Sequence, residues 1–209
     1  MDFNLWLAFV AASTVLLLIP GPTILLVLSY ALSQGRRVAL ATAAGVALGD
    51  LLAMTASLLG LGGLVLASAT LFTVLKWAGA VYLVYLGMQL LRHLPQKGLA
   101  AEGVQANLPA GKVFGHAMLV TALNPKSIAF FIAFVPQFLR TEAALAPQFG
   151  ILIATFVGLA ALNALAYAVL ADQLRARIAR PSVLRGMTRA GGIALIAMGV
   201  MTASLRGAG

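Results

Sequence analysis

From Phe3 to Gln34 the chain runs without one charged side chain. A helix of roughly 20 apolar residues already spans a bilayer, and this stretch is longer than that. It also cannot be hidden inside a soluble domain. Only 9% of the 209 residues are charged, where a soluble domain carries about 25%. Inside hydrocarbon every backbone N–H and C=O has to find its partner within the segment, so such a run becomes a helix. Five more runs follow, at about 38–66, 71–91, 113–139, 148–170 and 190–205, and the first is best bounded at about 5–33. Glycines at 60–70 read as the turn between the second and third runs, and 172–189 reads as a basic loop. The expected fold is an all-α integral membrane protein with six transmembrane helices and a single domain over 1–209. The start carries Asp2 rather than Lys or Arg, so it does not read as a cleaved signal and the first span is expected to be retained.

The net charge of +9 suggests nucleic acid, but the basic residues do not form the face or groove such a partner needs. They sit in the gaps between apolar runs, where topology places them. Connections after spans one, three and five hold ten: Arg36, Arg37, Arg92, Lys97, Lys112, Arg175, Arg177, Arg180, Arg185 and Arg189. The opposite side holds three, Lys76, Arg140 and Arg206, and Lys126 lies within a span. Cytoplasmic loops are the positive ones, so both termini are expected outside. The absence of cysteine excludes disulfides, Cys-ligated metals and thiol redox chemistry. Two histidines, His93 and His116, flanking a loop, do not make a metal site, and no cofactor is expected.

Two spans are interrupted. The first is broken midway by Pro20-Gly21-Pro22 and the fourth by Asn124-Pro125-Lys126. Other features also recur. Gly45 to Asp50 reads Gly-Val-Ala-Leu-Gly-Asp, and Gly158 to Asn163 reads Gly-Leu-Ala-Ala-Leu-Asn; Ala78-Gly79 with Gly87 matches Ala190-Gly191 with Gly199. This order describes a three-plus-three duplication, repeat 1 at about 1–95 and repeat 2 at about 110–209. Three spans is an odd number, so the second unit lies inverted. Inverted repeats with paired broken helices are the pattern of a secondary transporter whose site lies near the midplane. The plainer reading is that both prolines kink packed helices, which membrane proteins tolerate.

Each break exposes backbone N–H groups. Pro22 suits the first position of a half-helix with Gly21 before it, and Asn124-Pro125 is a good cap and first turn. Helix N-termini attract anions such as a carboxylate. Asp50 and Lys126 are the charged residues near span centres, the thirteenth residue from Val38 and the fourteenth from Val113, at similar expected depth. Charges there cost about 2.5–3.5 kcal/mol to insert, so they pair or face a wet cavity. They are either a substrate and proton site or a buried ion pair. Candidate substrate-binding residues are therefore Pro20, Gly21, Pro22, Thr23, Asp50, Asn124, Pro125 and Lys126. Asn163 joins them as the counterpart of Asp50, and Tyr82 as a hydroxyl within a span. Asp50, the carboxylate within a span, is the candidate for proton coupling. Ala41, Gly45 and Gly49 read as a helix-packing stripe, and Phe130 and Phe131 as packing or lipid-facing groups rather than a gate.

These residues, with Lys76–Gly79–Tyr82–Gly87 and Asn124-Pro125-Lys126 followed by Phe130-Phe131 and Pro136-Gln137-Phe138, resemble the LysE/RhtB family of bacterial amino-acid exporters, over essentially the whole chain. The resemblance is closer to the RhtB branch. Lys126 stands where a cationic substrate would need anions. The resemblance implies efflux of neutral amino acids such as homoserine, threonine or leucine across the bacterial inner membrane. It also implies coupling to the proton gradient and homodimers. An ion or other small-solute carrier or channel built on the same broken helices remains the alternative. A membrane enzyme does not, because no nucleophile–base pair or metal cluster lies within the spans.

The topology is directly testable because single cysteines can be introduced into a cysteine-free chain. Cysteines at Gln34 or Gly186 should stay unlabelled when an impermeant thiol reagent is added outside cells; labelling of either would invert the assignment.

Overall fold

The computed structural model describes residues 1–19, 21–34, 36–94, 108–140, 143–171 and 180–204. Among them there is no strand, and helices follow one another along the chain. The first span is two helices, α1 (Phe3–Leu18) and α2 (Pro22–Gln34), bent by 60° at the break. Asp2 starts α1, its carboxylate accepting from the N–H groups of Asn4 and Leu5 at 2.9 and 3.3 Å. The second and third spans are α3 (Arg36–Ala67) and α4 (Ala69–Arg92). The fourth is again double: α5 (Ala110–Ala122) and α6 (Pro125–Ala133), bent by 44°, with a 3-10 turn at Val135–Phe138. The last two are α7 (Leu145–Val169) and α8 (Pro181–Ser204). Four of these helices are long and apolar enough to cross a membrane alone, and the number rises to six when each bent pair is counted as one span.

Three expectations are corrected. The glycines at 60, 62 and 63 do not turn the chain; α3 runs through them to Ala67. A Cβ at Gly60 or Gly63 would meet nothing, and glycine weakens a helix by only about 1 kcal/mol. The stop is at Ser68, whose hydroxyl accepts from Leu71 N–H at 3.3 Å and caps α4. The last helix begins at Pro181 and not near 190. Proline is suited to the first turn. Leu184 and Thr188 are buried there while Arg185 and Arg189 face outward, so charge count alone hid an amphipathic start. His116 likewise lies within α5 rather than beside a loop, its Nδ1 2.9 Å from the Tyr30 hydroxyl.

Small residues set the helix spacing, as expected where lipid removes any hydrophobic drive between helices. A Cβ on Gly49 would lie 2.6 Å from the Met118 carbonyl oxygen and 2.8 Å from Thr121 Cβ, and one on Gly45 would collide with the Phe114 carbonyl. Thus α3 and α5 run parallel in near backbone contact. On the other side α4 and α8 cross antiparallel. Gly87 faces the Gly192 carbonyl and Ile196, and Gly199 faces the Ala80 carbonyl and Val84. Where α7 starts without a side-chain cap, buried Gln148 folds back. It accepts from Arg140 N–H and donates to the carbonyls of Arg140, Ala143 and Ala144.

Gly49→Val should destabilise the folded protein by about 1–3 kcal/mol, the usual range for overpacking, whereas Gly158→Ala, with open space around it, should not. Thermal unfolding in detergent reads the difference; equal behaviour would mean that α3 and α5 are not held at this spacing.

Candidate substrate site

The two breaks meet. Thr23, in the first turn of α2, accepts from Asn124 Nδ2 at 3.2 Å, and its hydroxyl lies 3.4 Å from that of Thr121 at the end of α5. Asn124 does a second job. Its Oδ1 accepts from Lys126 N–H at 3.0 Å, closing the first turn of α6 around Pro125. That cap fixes where Lys126 points. Its ammonium donates to the carbonyls of Leu16 and Ile19, at 3.1 and 3.0 Å, at the C-terminal end of α1, where Leu16 O also accepts from Ile19 N–H at 3.3 Å. A broken helix leaves such carbonyls without their usual partners one turn on, and they carry the negative end of the helix dipole. Asn163 of α7 serves the same end, donating from Nδ2 to Leu17 O at 3.1 Å.

Thr23, Asp50, Asn124, Lys126 and Asn163 line one cavity, walled also by Leu16, Leu17, Ser127 and residues of α2, α3 and α7. The space open to water in it is about 20 Å³, enough for about one water molecule and not for an amino acid. The site is closed in this conformation. Asp50 is 3% exposed and forms no side-chain hydrogen bond or ion pair among the described residues. The expected partnership of Asp50 with Lys126 is therefore not a salt bridge here: the two charges share a cavity, and Lys126 is held by backbone instead.

The other candidates are placed as follows. Gly21 lies against Lys126, with room for a Cβ only 3.3 Å from Nζ. Pro22 and Pro125 open α2 and α6. Pro20 lies outside the described residues. Tyr82 is not at the cavity. It is 38% exposed on the outer face of α4 and stacked on Tyr85 at 6.0 Å. Sequence reasoning missed Thr121 and Ser127, ordinary residues in apolar spans, and the carbonyls of Leu16, Leu17 and Ile19. Those carbonyls had a signal, since any break creates a C-terminal end as well as an N-terminal one.

The pattern that defines the LysE type translocators matches residues 14–205. The chain belongs to the LysE type translocator family. Members of this family are transporters and not enzymes, and the chain is a multi-pass membrane protein. Among its relatives is an uncharacterized membrane protein of Vibrio cholerae, 34% identical over 206 residues, covering 99% of this chain and all of the relative. The homoserine/homoserine lactone efflux protein of Salmonella typhimurium is 33% identical over 211 residues, 99% of each chain. The leucine efflux protein of the same organism is 33% identical over 141 residues, 67% of this chain and 65% of that one. No solved structure matches the chain.

Because the α1 carbonyls, and not a salt bridge to Asp50, hold the Lys126 ammonium, the two residues should be only weakly coupled in stability. Lys126→Met should lower stability by about 1–3 kcal/mol, the cost of leaving buried acceptors unmade. Asp50→Asn should not destabilise, and adding it to Lys126→Met should restore nothing. Thermal unfolding of the three variants decides; rescue in the double variant would show that the charges hold each other.

Proposed function

We propose that this translocator exports neutral amino acids from the cytoplasm. The observation that carries the reading is the unpartnered Asp50 carboxylate in a cavity opposite Lys126 and two half-helix ends. A zwitterion has the matching pair of groups. Its ammonium meets Asp50, and its carboxylate meets Lys126 and the N–H groups that open α2 and α6, which favour anions. A bare cation would not use the N–H groups that open α2 and α6, and a bare anion would not use Asp50. The efflux of homoserine and of leucine named for two relatives agrees with a neutral substrate.

The finer features belong to the same proposal. The chain is one transmembrane domain of two inverted three-span repeats. Gly87 with Gly192 and Ile196 corresponds, residue for residue, to Gly199 with Ala80 and Val84, and this reciprocity supports a two-fold axis between α4 and α8. Asp50 and Asn163, counterparts in the repeats, line one cavity, which speaks for the same axis. The protein resides in the bacterial inner membrane with both termini periplasmic, and works as a homodimer. Asp50 carries the coupled proton when no ammonium occupies it, so that substrate and proton use one carboxylate in turn.

Counterflow in proteoliposomes loaded with leucine, homoserine, threonine, lysine and arginine tests the reading. Exchange should be seen with the neutral substrates and be abolished by Asp50→Asn, which still inserts and folds. Exchange confined to lysine and arginine, or to inorganic ions, would overturn it. Net export against a gradient should stop when the proton gradient is collapsed; unchanged export would remove proton coupling alone.

A further inference from the structure

The cavity has two unlike walls. From its lining, one or two turns in one direction along three helices lead to phenyl rings: one turn from Lys126 and Ser127 to Phe130 on α6, one from Ala160 to Phe156 on α7, and two from Leu16 through Ser13 to Phe9 on α1. These rings are joined by Phe131, Phe134 and Phe138 into one cluster. Centroids lie 4.8 Å apart for Phe131–Phe156, 5.4 Å for Phe9–Phe138 and 5.3 Å for both Phe130–Phe134 and Phe134–Phe138. All six are at most 4% exposed. The other direction leads to small side chains, Ala39 and Ala43 on α3, Ala117 on α5 and Ala164 and Ala168 on α7, with Val27, Leu28 and Tyr167. The aromatic wall lies toward the N-terminus of α1, the side that the Lys and Arg asymmetry puts outside.

Ser13 stands between this wall and the cavity. Phe9, Ser13 and Leu16 form the buried face of α1, and the Ser13 hydroxyl is fully buried with no hydrogen-bond partner among the described residues. Leaving a buried hydroxyl unsatisfied is costly, and native structures rarely do so without a use for it. A polar station on the way out is such a use. The phenyls also have an obvious lever. Phe130, Phe131 and Phe134 ride on and just after α6, which is nine residues long, starts at the Asn124 break and ends in the 3-10 turn. Its first turn carries Lys126, whose ammonium ties α6 to the end of α1.

Building on the amino-acid reading above, we propose that the solute leaves along the buried face of α1 past Ser13, that the six phenyl rings are the outer gate, and that Lys126 is its latch. A solute carboxylate arriving at the α6 N-terminus competes with the Leu16 and Ile19 carbonyls for the ammonium. Once that tie is exchanged, α6 is free to turn about Asn124 and draw its phenyls off Phe9 and Phe156. The carboxylate thus opens its own way out.

The cysteine-free background makes Ser13→Cys a single reporter behind the gate. Intact cells expressing it are treated from outside with an impermeant maleimide, with and without loading by leucine or homoserine. Labelling should be slow in unloaded cells and rise several-fold on loading. Phe156→Ala and the milder Phe156→Leu should raise the unloaded rate, by roughly tenfold or more for the alanine variant, since loss of ring packing shifts the closed–open balance by that order. Lys126→Met should give fast labelling that no longer responds to loading. Labelling that ignores both loading and Phe156 while leucine or homoserine is still exported would show the rings to be static packing. Fast labelling in unloaded cells without any Phe substitution would show that no gate is closed there. Failure to export either amino acid would sink the substrate reading, yet the Phe156 comparison would still decide the gate.

Discussion

A cation in the middle of a bilayer has to be held by something, and in this protein Lys126 is held by the frayed end of a helix. Breaking α1 beside Ile19 frees the carbonyls of its last turn, and two of them take the Lys126 ammonium. The same break that makes a half-helix N-terminus at α2 thus makes a counter-charge for the lysine. Asn124 and Pro125 supply the geometry: the amide caps α6, the proline starts it, and the next side chain is aimed at α1. Without this exchange between the two broken spans, an unpaired lysine would cost about 2.5–3.5 kcal/mol near mid-membrane. With it, Asp50 shares the cavity with Lys126 but takes no hydrogen bond or salt bridge among the described residues, and on the proposed reading that is the position an ammonium group takes.

The glycine seams bring these parts into register. Gly45 and Gly49 let α3 lie almost backbone to backbone on α5, which sets Asp50, one residue beyond Gly49, opposite the end of α5 and the Asn124 break. A Cβ at either glycine would push the carboxylate away from the cavity it lines. The seam between α4 and α8 fixes the flank, while Asn163 ties α7 to the end of α1. Five helices, α1, α2, α3, α6 and α7, therefore converge on a space that admits about one water.

Much of this was legible in the sequence because hydrocarbon makes polarity conspicuous. Asp50, Lys126, Asn124 and Asn163 stand out in apolar spans, and all four reach the cavity. The breaks fall where Pro22 and Pro125 put them. What was hidden is hidden for physical reasons. Tyr82 is as polar as the others, but an isolated hydroxyl does not say which face of its helix it occupies, and it faces outward. The start of α8 at Pro181 lay under a basic composition that reads as a loop until the burial of Leu184 and Thr188 reveals its face. The carbonyls that bind Lys126 have no side-chain signature. Whether Asp50 and Lys126 pair depends on a few ångströms of helix placement, beyond the reach of spacing.

The unequal walls bear on how a closed site can work in one direction. Seven ring pairs seal one side, and such contacts contribute about 0.5–1.5 kcal/mol each beyond their buried area. The opposite wall mixes alanines with Ile24, Val27, Leu28, Val46, Tyr167 and Leu184 and has no such cluster of phenyl rings. In the proposed gate, the aromatic side opens only against a specific gain. A ligand shifts a conformational balance only by what it binds differently in the two states. In this cavity a carboxylate has such a difference available, because the ammonium it would engage is bonded to α1 in the closed state and must leave those carbonyls to meet it. On the proposed reading, the residue that ties α6 to α1 is also the one the solute carboxylate engages, so occupancy and opening draw on the same interaction.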